Sequence, residues 1–79
     1  MESPPKRALS HPKRLAIFEH LTQRGTAIEE AELAEAVDLT VPVARYHLTV
    51  LCDAGLIVEV EDVGQGRTEP SFVVADAAG

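Results

Sequence analysis

Apolar residues recur at intervals of three and four in three successive stretches of the chain, after which the period changes to two. Leu15, Ile17, Phe18 and Leu21 form the first series, which repeats at helical spacing. Ser10 is a suitable N-cap for this helix, and Pro12 is tolerated in a first turn whose amides have no partners anyway. Gly25 ends it, just after Arg24 places a positive charge at the negative end of the helix dipole. Thr26-Ala27-Ile28 then reads as a short extended link. Glu29 and Glu30 begin a second helix, where carboxylates favour the positive dipole end, and Leu33, Ala34 and Val37 mark its inner face up to Asp38-Leu39.

Thr40 is the next N-cap, so the link between the second and third helices is only two or three residues long. Val41, Ala44, Leu48 and Leu51 give the third helix its inner stripe, and Gly55 closes it after Ala54. Its opposite face carries Pro42, Val43, Tyr46, Thr49, Val50 and Asp53, with Arg45 and His47 on the flanks. From Leu56 to Glu61 the pattern alternates, with Val58 and Val60 opposite Glu59 and Glu61. Gly64-Gln65-Gly66-Arg67 is a turn signal and Pro70–Val74 a second strand, so the two strands read as a β-hairpin. Residues 1–9, broken by Pro4 and Pro5, read as a loosely attached segment, residues 10–75 as one domain and residues 76–79 as a short tail.

Composition narrows the class. The 79 residues are 46% hydrophobic with three aromatics and no Trp, so one small core must be filled by aliphatic side chains. A single cysteine excludes a disulfide scaffold and a Cys cluster for structural zinc. No apolar run approaches the roughly 20 residues of a membrane span, and the charged, Pro-broken N-terminus has no apolar signal region. A cytoplasmic domain is the expectation. The net charge of −6 is unevenly spread. Residues 1–24 hold five basic against two acidic groups, a local +3, whereas residues 25–79 hold two against eleven, a local −9.

Three helices with a tight link between the last two, followed by a hairpin, is the order of a winged helix-turn-helix: mainly α with a small β-hairpin. Particular residues sharpen this. His11-Pro12-Lys13-Arg14-Leu15, Glu32-Leu33-Ala34, Arg45-Tyr46-His47-Leu48-Thr49-Val50-Leu51 and Ala54-Gly55-Leu56-Ile57-Val58 stand in order along residues 11–74. In this order and spacing they resemble the helix-turn-helix domain of ArsR-type bacterial and archaeal regulators. The resemblance implies a transcriptional regulator that binds double-stranded DNA, with helix 40–54 in the major groove and a wing over 62–69 near the backbone. The contact residues it implies by position are Thr40, Pro42, Val43, Arg45, Tyr46, His47 and Thr49, with Gln65 and Arg67 at the wing tip. His47 has a second reading, as a helix-packing residue between core and surface. Lys6, Arg7, Lys13 and Arg14 either track the DNA backbone or form an ordinary soluble end.

The reading face departs from the family pattern in carrying Val41-Pro42-Val43 where relatives often show Gln, Ser or Thr, which leaves bidentate base readout to Arg45 alone. The hairpin sets Glu59, Glu61, Asp62 and Glu69 around a single Arg67. The family usually dimerises through its first helix and a further C-terminal helix, whereas this sequence stops after the second strand. A homodimer through the first helix, around Leu15 and Phe18, remains compatible with it. No metal site and no cofactor are expected: the second helix has neither Cys nor His, and His47 and Cys52 lie on different helix faces. No nucleophile stands beside a base and no Gly-rich loop opens a helix, so an enzyme is not expected. The rival to DNA binding is an acidic winged helix used for protein contact through the Val43-Tyr46-Val50 face.

Overall fold

Helix α1 spans Pro12–Arg24 and begins one residue after the point that Ser10 as a cap would give. Ser10 is engaged elsewhere: its hydroxyl and its amide both donate to the Arg7 carbonyl, at 2.8 and 3.2 Å. His11 is the N-cap instead, and its Nδ1 accepts the Lys13 amide at 3.3 Å. Gly25, at φ +67°, closes the helix through its amide on the Leu21 carbonyl. The computed structural model describes residues 7–60 and 70–78.

The link after α1 is more than a link. Ile28–Glu29 forms a strand, β1, ahead of helix α2 at Glu30–Ala36 and helix α3 at Val41–Asp53. Strands β2 (Ile57–Val60) and β3 (Ser71–Val74) follow, and Ala75–Ala78 forms a last short helix, α4. The sheet is antiparallel in the order β1-β3-β2, so the expected two-stranded hairpin is in fact three-stranded. Ile28 faces Phe72 and Glu29 faces Ser71 on one side of β3, while Ile57 faces Val74 and Val60 faces Ser71 on the other. A two-residue strand carries no period to detect, which is why β1 is invisible to pattern reading.

Two turns set the angle of α3. Asp38 takes φ +58°, and the Asp38 and Leu39 amides donate to the Glu35 and Ala34 carbonyls, at 3.2 and 2.8 Å. Gly55 takes φ +77°, and the Gly55 and Leu56 amides donate to Cys52 and Leu51, at 3.0 and 3.1 Å. Both are Schellman closures, which satisfy carbonyls left over at a helix C-terminus. Only the second uses the residue best suited to a left-handed conformation.

The core is aliphatic, as the composition requires. Ile17, Leu21, Ile28, Leu33, Leu48, Leu51 and Ile57 are buried, with Phe72 and Val73 beside them. Ala44 is also fully buried, where a small side chain lets α3 approach its neighbours. Two expectations fail here. Ala8 is buried in the same core and Leu9 packs on it, so the packed body starts ahead of Ser10. Val58 is exposed while Ile57 is buried, because successive side chains point to opposite faces of β2 and the core takes the Ile57 face.

Candidate nucleic-acid interface

Helix α3 has two sharply different sides. Ala44, His47, Leu48 and Leu51 are buried, which turns Pro42, Val43, Arg45, Tyr46, Thr49 and Asp53 outward. Thr40 is exposed at the N-cap, and its side chain makes no capping hydrogen bond. Val43 and Tyr46 are large apolar or aromatic groups in solvent, at 44% and 62% exposure. The row Thr40, Pro42, Val43, Arg45, Tyr46 and Thr49 is thus brought together on one surface. His47 is not, since it lies in the interior at 4% exposure.

Arg45 does not reach outward unengaged. Its Nε and Nη2 donate to the two carboxylate oxygens of Glu30, at 3.2 and 2.6 Å. Glu30 is the first residue of α2 and is buried, so a carboxylate sits inside the domain with a guanidinium fork across it. Leaving a buried charge without its partner costs about 3–5 kcal/mol at the fully buried limit. The Arg45 side chain is 63% exposed, which lowers that cost. A bidentate base contact returns about 1–3 kcal/mol, so it gains nothing clear by pulling Arg45 from Glu30. The one guanidinium on the reading face is a bracket between α2 and α3.

The His11–Arg14 stretch forms a second bracket. Lys13 Nζ donates to the Val37 carbonyl at 2.6 Å, placing a cation at the C-terminal end of α2. Arg14 donates through Nη1 to the Ala8 carbonyl and through Nε to His47 Nδ1, both at 3.2 Å. Its guanidinium carbon lies 5.8 Å from the centre of the Tyr46 ring, within cation–π range. The His11 and His47 rings are 4.6 Å apart, and Tyr46 meets His47 edge-on at 5.4 Å. Burial holds His47 below the usual imidazole pKa, helped by the nearby charges of His11 and Arg14. An open cavity of about 370 Å³ lies alongside, lined by Arg7, Arg14, Tyr46 and Val50 among others.

Gln65 and Arg67, the wing-tip candidates, lie outside the described residues, as does Lys6. Cys52 is half-buried, and burial with the Glu59 and Asp53 carboxylates pushes its thiol pKa up. Among the described residues no group of His, Cys, Asp and Glu side chains could hold a metal ion, and no helix is long and apolar enough to cross a membrane. Sequence reasoning missed Glu30 as a site residue. Glu30 and Arg45 belong to different helices with no spacing rule between them. The only available signal was a carboxylate beginning a helix, which reads equally well as a dipole partner.

Known proteins with this geometry are helix-turn-helix domains. No curated protein matches the chain significantly. Among solved structures it resembles Mb0332 from Mycobacterium bovis, a homodimeric winged helix-turn-helix DNA-binding domain described as a possible ArsR-family transcriptional regulator. The TM-score is 0.78 at 23% identity, over 95% of this chain and 66% of that one. A crystal structure of a possible transcriptional regulatory protein from Mycobacterium bovis gives the same score and identity, over 95% and 76% of the two chains. Rv0081 of M. tuberculosis follows at a TM-score of 0.74 and 27% identity, over 91% of this chain and 69% of that one. This chain therefore spans slightly under two thirds of the Mb0332 chain. The winged fold is common to these structures, and the helix-turn-helix domain family matches residues 9–61. On that match across two thirds of its length, the chain belongs to the helix-turn-helix domain family.

Proposed function

We propose that the protein is a DNA-binding transcriptional regulator that sets α3 in the major groove. The observation that carries this is the outward row Thr40, Pro42, Val43, Tyr46 and Thr49, on a helix anchored from behind by Ala44, Leu48 and Leu51. A short second helix, a tight turn and an exposed third helix are how a helix-turn-helix presents side chains to base edges. Arg7 and Arg14 line a cavity with Tyr46 and Val50 beside this row, which supports them as phosphate contacts, and Gln65 and Arg67 of segment 62–69 are assigned the same role. His47 supports the surface from beneath. The work is binding in the cytoplasm rather than catalysis.

The dimer reading has its own support. Leu9, Leu15 and Phe18 are only half-buried, and with Glu19, Thr22 and Gln23 they line an open groove on the outer side of α1. The similar Mb0332 domain is a homodimer. A homodimer through α1 would cover that groove and set two copies of α3 on successive half-sites.

Titration of isotopically labelled protein with a mixed-sequence duplex at low salt tests the proposal by NMR. Amide shifts concentrated on residues 40–49, fading as salt rises, are expected. A flat titration at submillimolar duplex would leave a protein-contact module as the better description. Sedimentation of the wild type against Phe18→Glu tests the dimer, with the variant expected to run at half the mass.

A further inference from the structure

The outward face of α3 is poor in the groups that read base edges by hydrogen bonding. Guanine is read chiefly by an arginine or lysine fork, adenine by asparagine or glutamine, and cytosine by a carboxylate. Between Val41 and Asp53 there is no Lys, Asn or Gln, and the carboxylate of Asp53 stands at the far C-terminal end. The Nε and Nη2 of Arg45 are given to Glu30. The Thr49 hydroxyl donates its only proton to the Arg45 carbonyl at 3.0 Å, and His47 is buried with Nδ1 occupied by Arg14. Apart from the Arg45 side chain, which is 63% exposed but held by Glu30 through Nε and Nη2, the groups in solvent over the first three turns are the Pro42 ring, the Val43 isopropyl group, the Tyr46 ring and the Thr49 side chain.

An apolar reading face has one counterpart in the major groove, the 5-methyl group of thymine. Resting on the DNA-binding reading above, we infer that α3 selects its site by packing Pro42, Val43 and Thr49 against thymine methyls. Arg45 fixes the helix rather than reading a base. The Thr40 and Tyr46 hydroxyls serve the phosphates and so set register without sequence information. The substrate class is a thymine-bearing duplex whose methyls line the contacted stretch of the major groove.

Deoxyuridine tests this directly, because it keeps the pairing and the O4 acceptor of thymine and lacks only the methyl. The full chain is used to enrich duplexes from a random pool, and the enriched duplex is rebuilt with deoxyuridine at each thymine of the contacted stretch. Thymine is expected to dominate that stretch, and the deoxyuridine duplex to bind at least about ten-fold more weakly. Val43 is exposed, so Val43→Ser is compatible with the fold. It should weaken the thymine duplex while leaving the deoxyuridine duplex almost unchanged, bringing the two affinities together. Replacing one contacted T·A pair by C·G should weaken binding, and 5-methylcytosine in place of that cytosine should recover part of the loss by restoring the methyl. Equal affinity for the thymine and deoxyuridine duplexes, or an equal loss on both in Val43→Ser, would overturn the inference and leave DNA binding intact. Failure of the wild type to enrich or bind any duplex at low salt would remove the DNA-binding reading itself, and this inference with it.

Discussion

The guanidinium Nε of Arg14 points at Nδ1 of His47 across 3.2 Å, joining the start of α1 to the middle of α3. A guanidinium can only donate, so His47 Nδ1 must be the unprotonated nitrogen and Nε2 carries the hydrogen. Protonating His47 would put a hydrogen where Arg14 already supplies one. This contact agrees in sign with the burial that lowers the His47 pKa.

A pH dependence follows from that arrangement. The unfolded chain takes up the His47 proton near the ordinary value of 6.5, and the folded chain only at lower pH. Below about pH 6.5 the unfolded state therefore binds more protons, and stability falls as pH drops through the lower folded pKa. Urea denaturation of the wild type and His47→Gln at pH 7.5 and 5.0 should show the larger acid loss in the wild type. An imidazole titration of His47 by NMR at or above 6.5 would contradict the burial argument.

Arg45→Ala should destabilise the domain by about 1–3 kcal/mol, short of a fully buried pair because the Arg45 side chain is 63% exposed. Glu30→Gln should cost less, because it removes the buried charge together with the need for a partner. In the double variant the losses should fall short of additive by roughly 1 kcal/mol, as coupled partners do. Additive losses in a denaturation cycle would mean that Arg45 is held by something other than Glu30.

Leu48 and Tyr46 lie two positions apart on α3 and should behave as opposites. Leu48 is fully buried, and Leu48→Ala should cost about 2–5 kcal/mol, a large share of what a domain of this size has. Tyr46 is 62% exposed, so Tyr46→Ala should change stability by under about 1 kcal/mol while weakening duplex binding. Thermal melts beside duplex titrations separate the two effects.

The two Schellman turns make a paired prediction. Gly55 has φ +77° with nothing within 4 Å of an added Cβ, so Gly55→Ala should cost about 1 kcal/mol from backbone strain alone. Asp38 already bears that strain at φ +58°. Asp38→Gly should therefore be neutral or stabilising by up to about 1 kcal/mol, despite the greater entropy of glycine when unfolded. A melt in which both substitutions destabilise equally would show that the turn at Asp38 draws on its side chain.

The three helices were legible because apolar residues recur at helical spacing in each, and α1 and α3 also end on a glycine, as with Leu48 and Leu51 ahead of Gly55. The outward row of α3 followed from its inner stripe by subtraction. Beyond the pairing of β2 with β3, what escaped was the contacts between elements. Nothing local marks Glu30 as the partner of Arg45, Lys13 as the ligand of the Val37 carbonyl, or Ile28 as the neighbour of Phe72. Ala8 escaped for a related reason: a lone alanine beyond a cap has no period, yet the fold closes over it. Such pairings arise only once the chain is folded, and a sequence shows them by coincidence of type at best.

Strand β3 lies between β1 and β2, and the Glu30 amide donates to the Pro70 carbonyl at 3.1 Å. A peptide cut to the three helices would thus lose more than a hairpin. It would unpair Ile28 and Glu29, orphan the Glu30 amide and uncover Ile57's partners in the core, all at the residue that steadies Arg45. Taken out of that setting, α3 would lose the carboxylate that holds Arg45 and the core that buries Leu48 and Leu51.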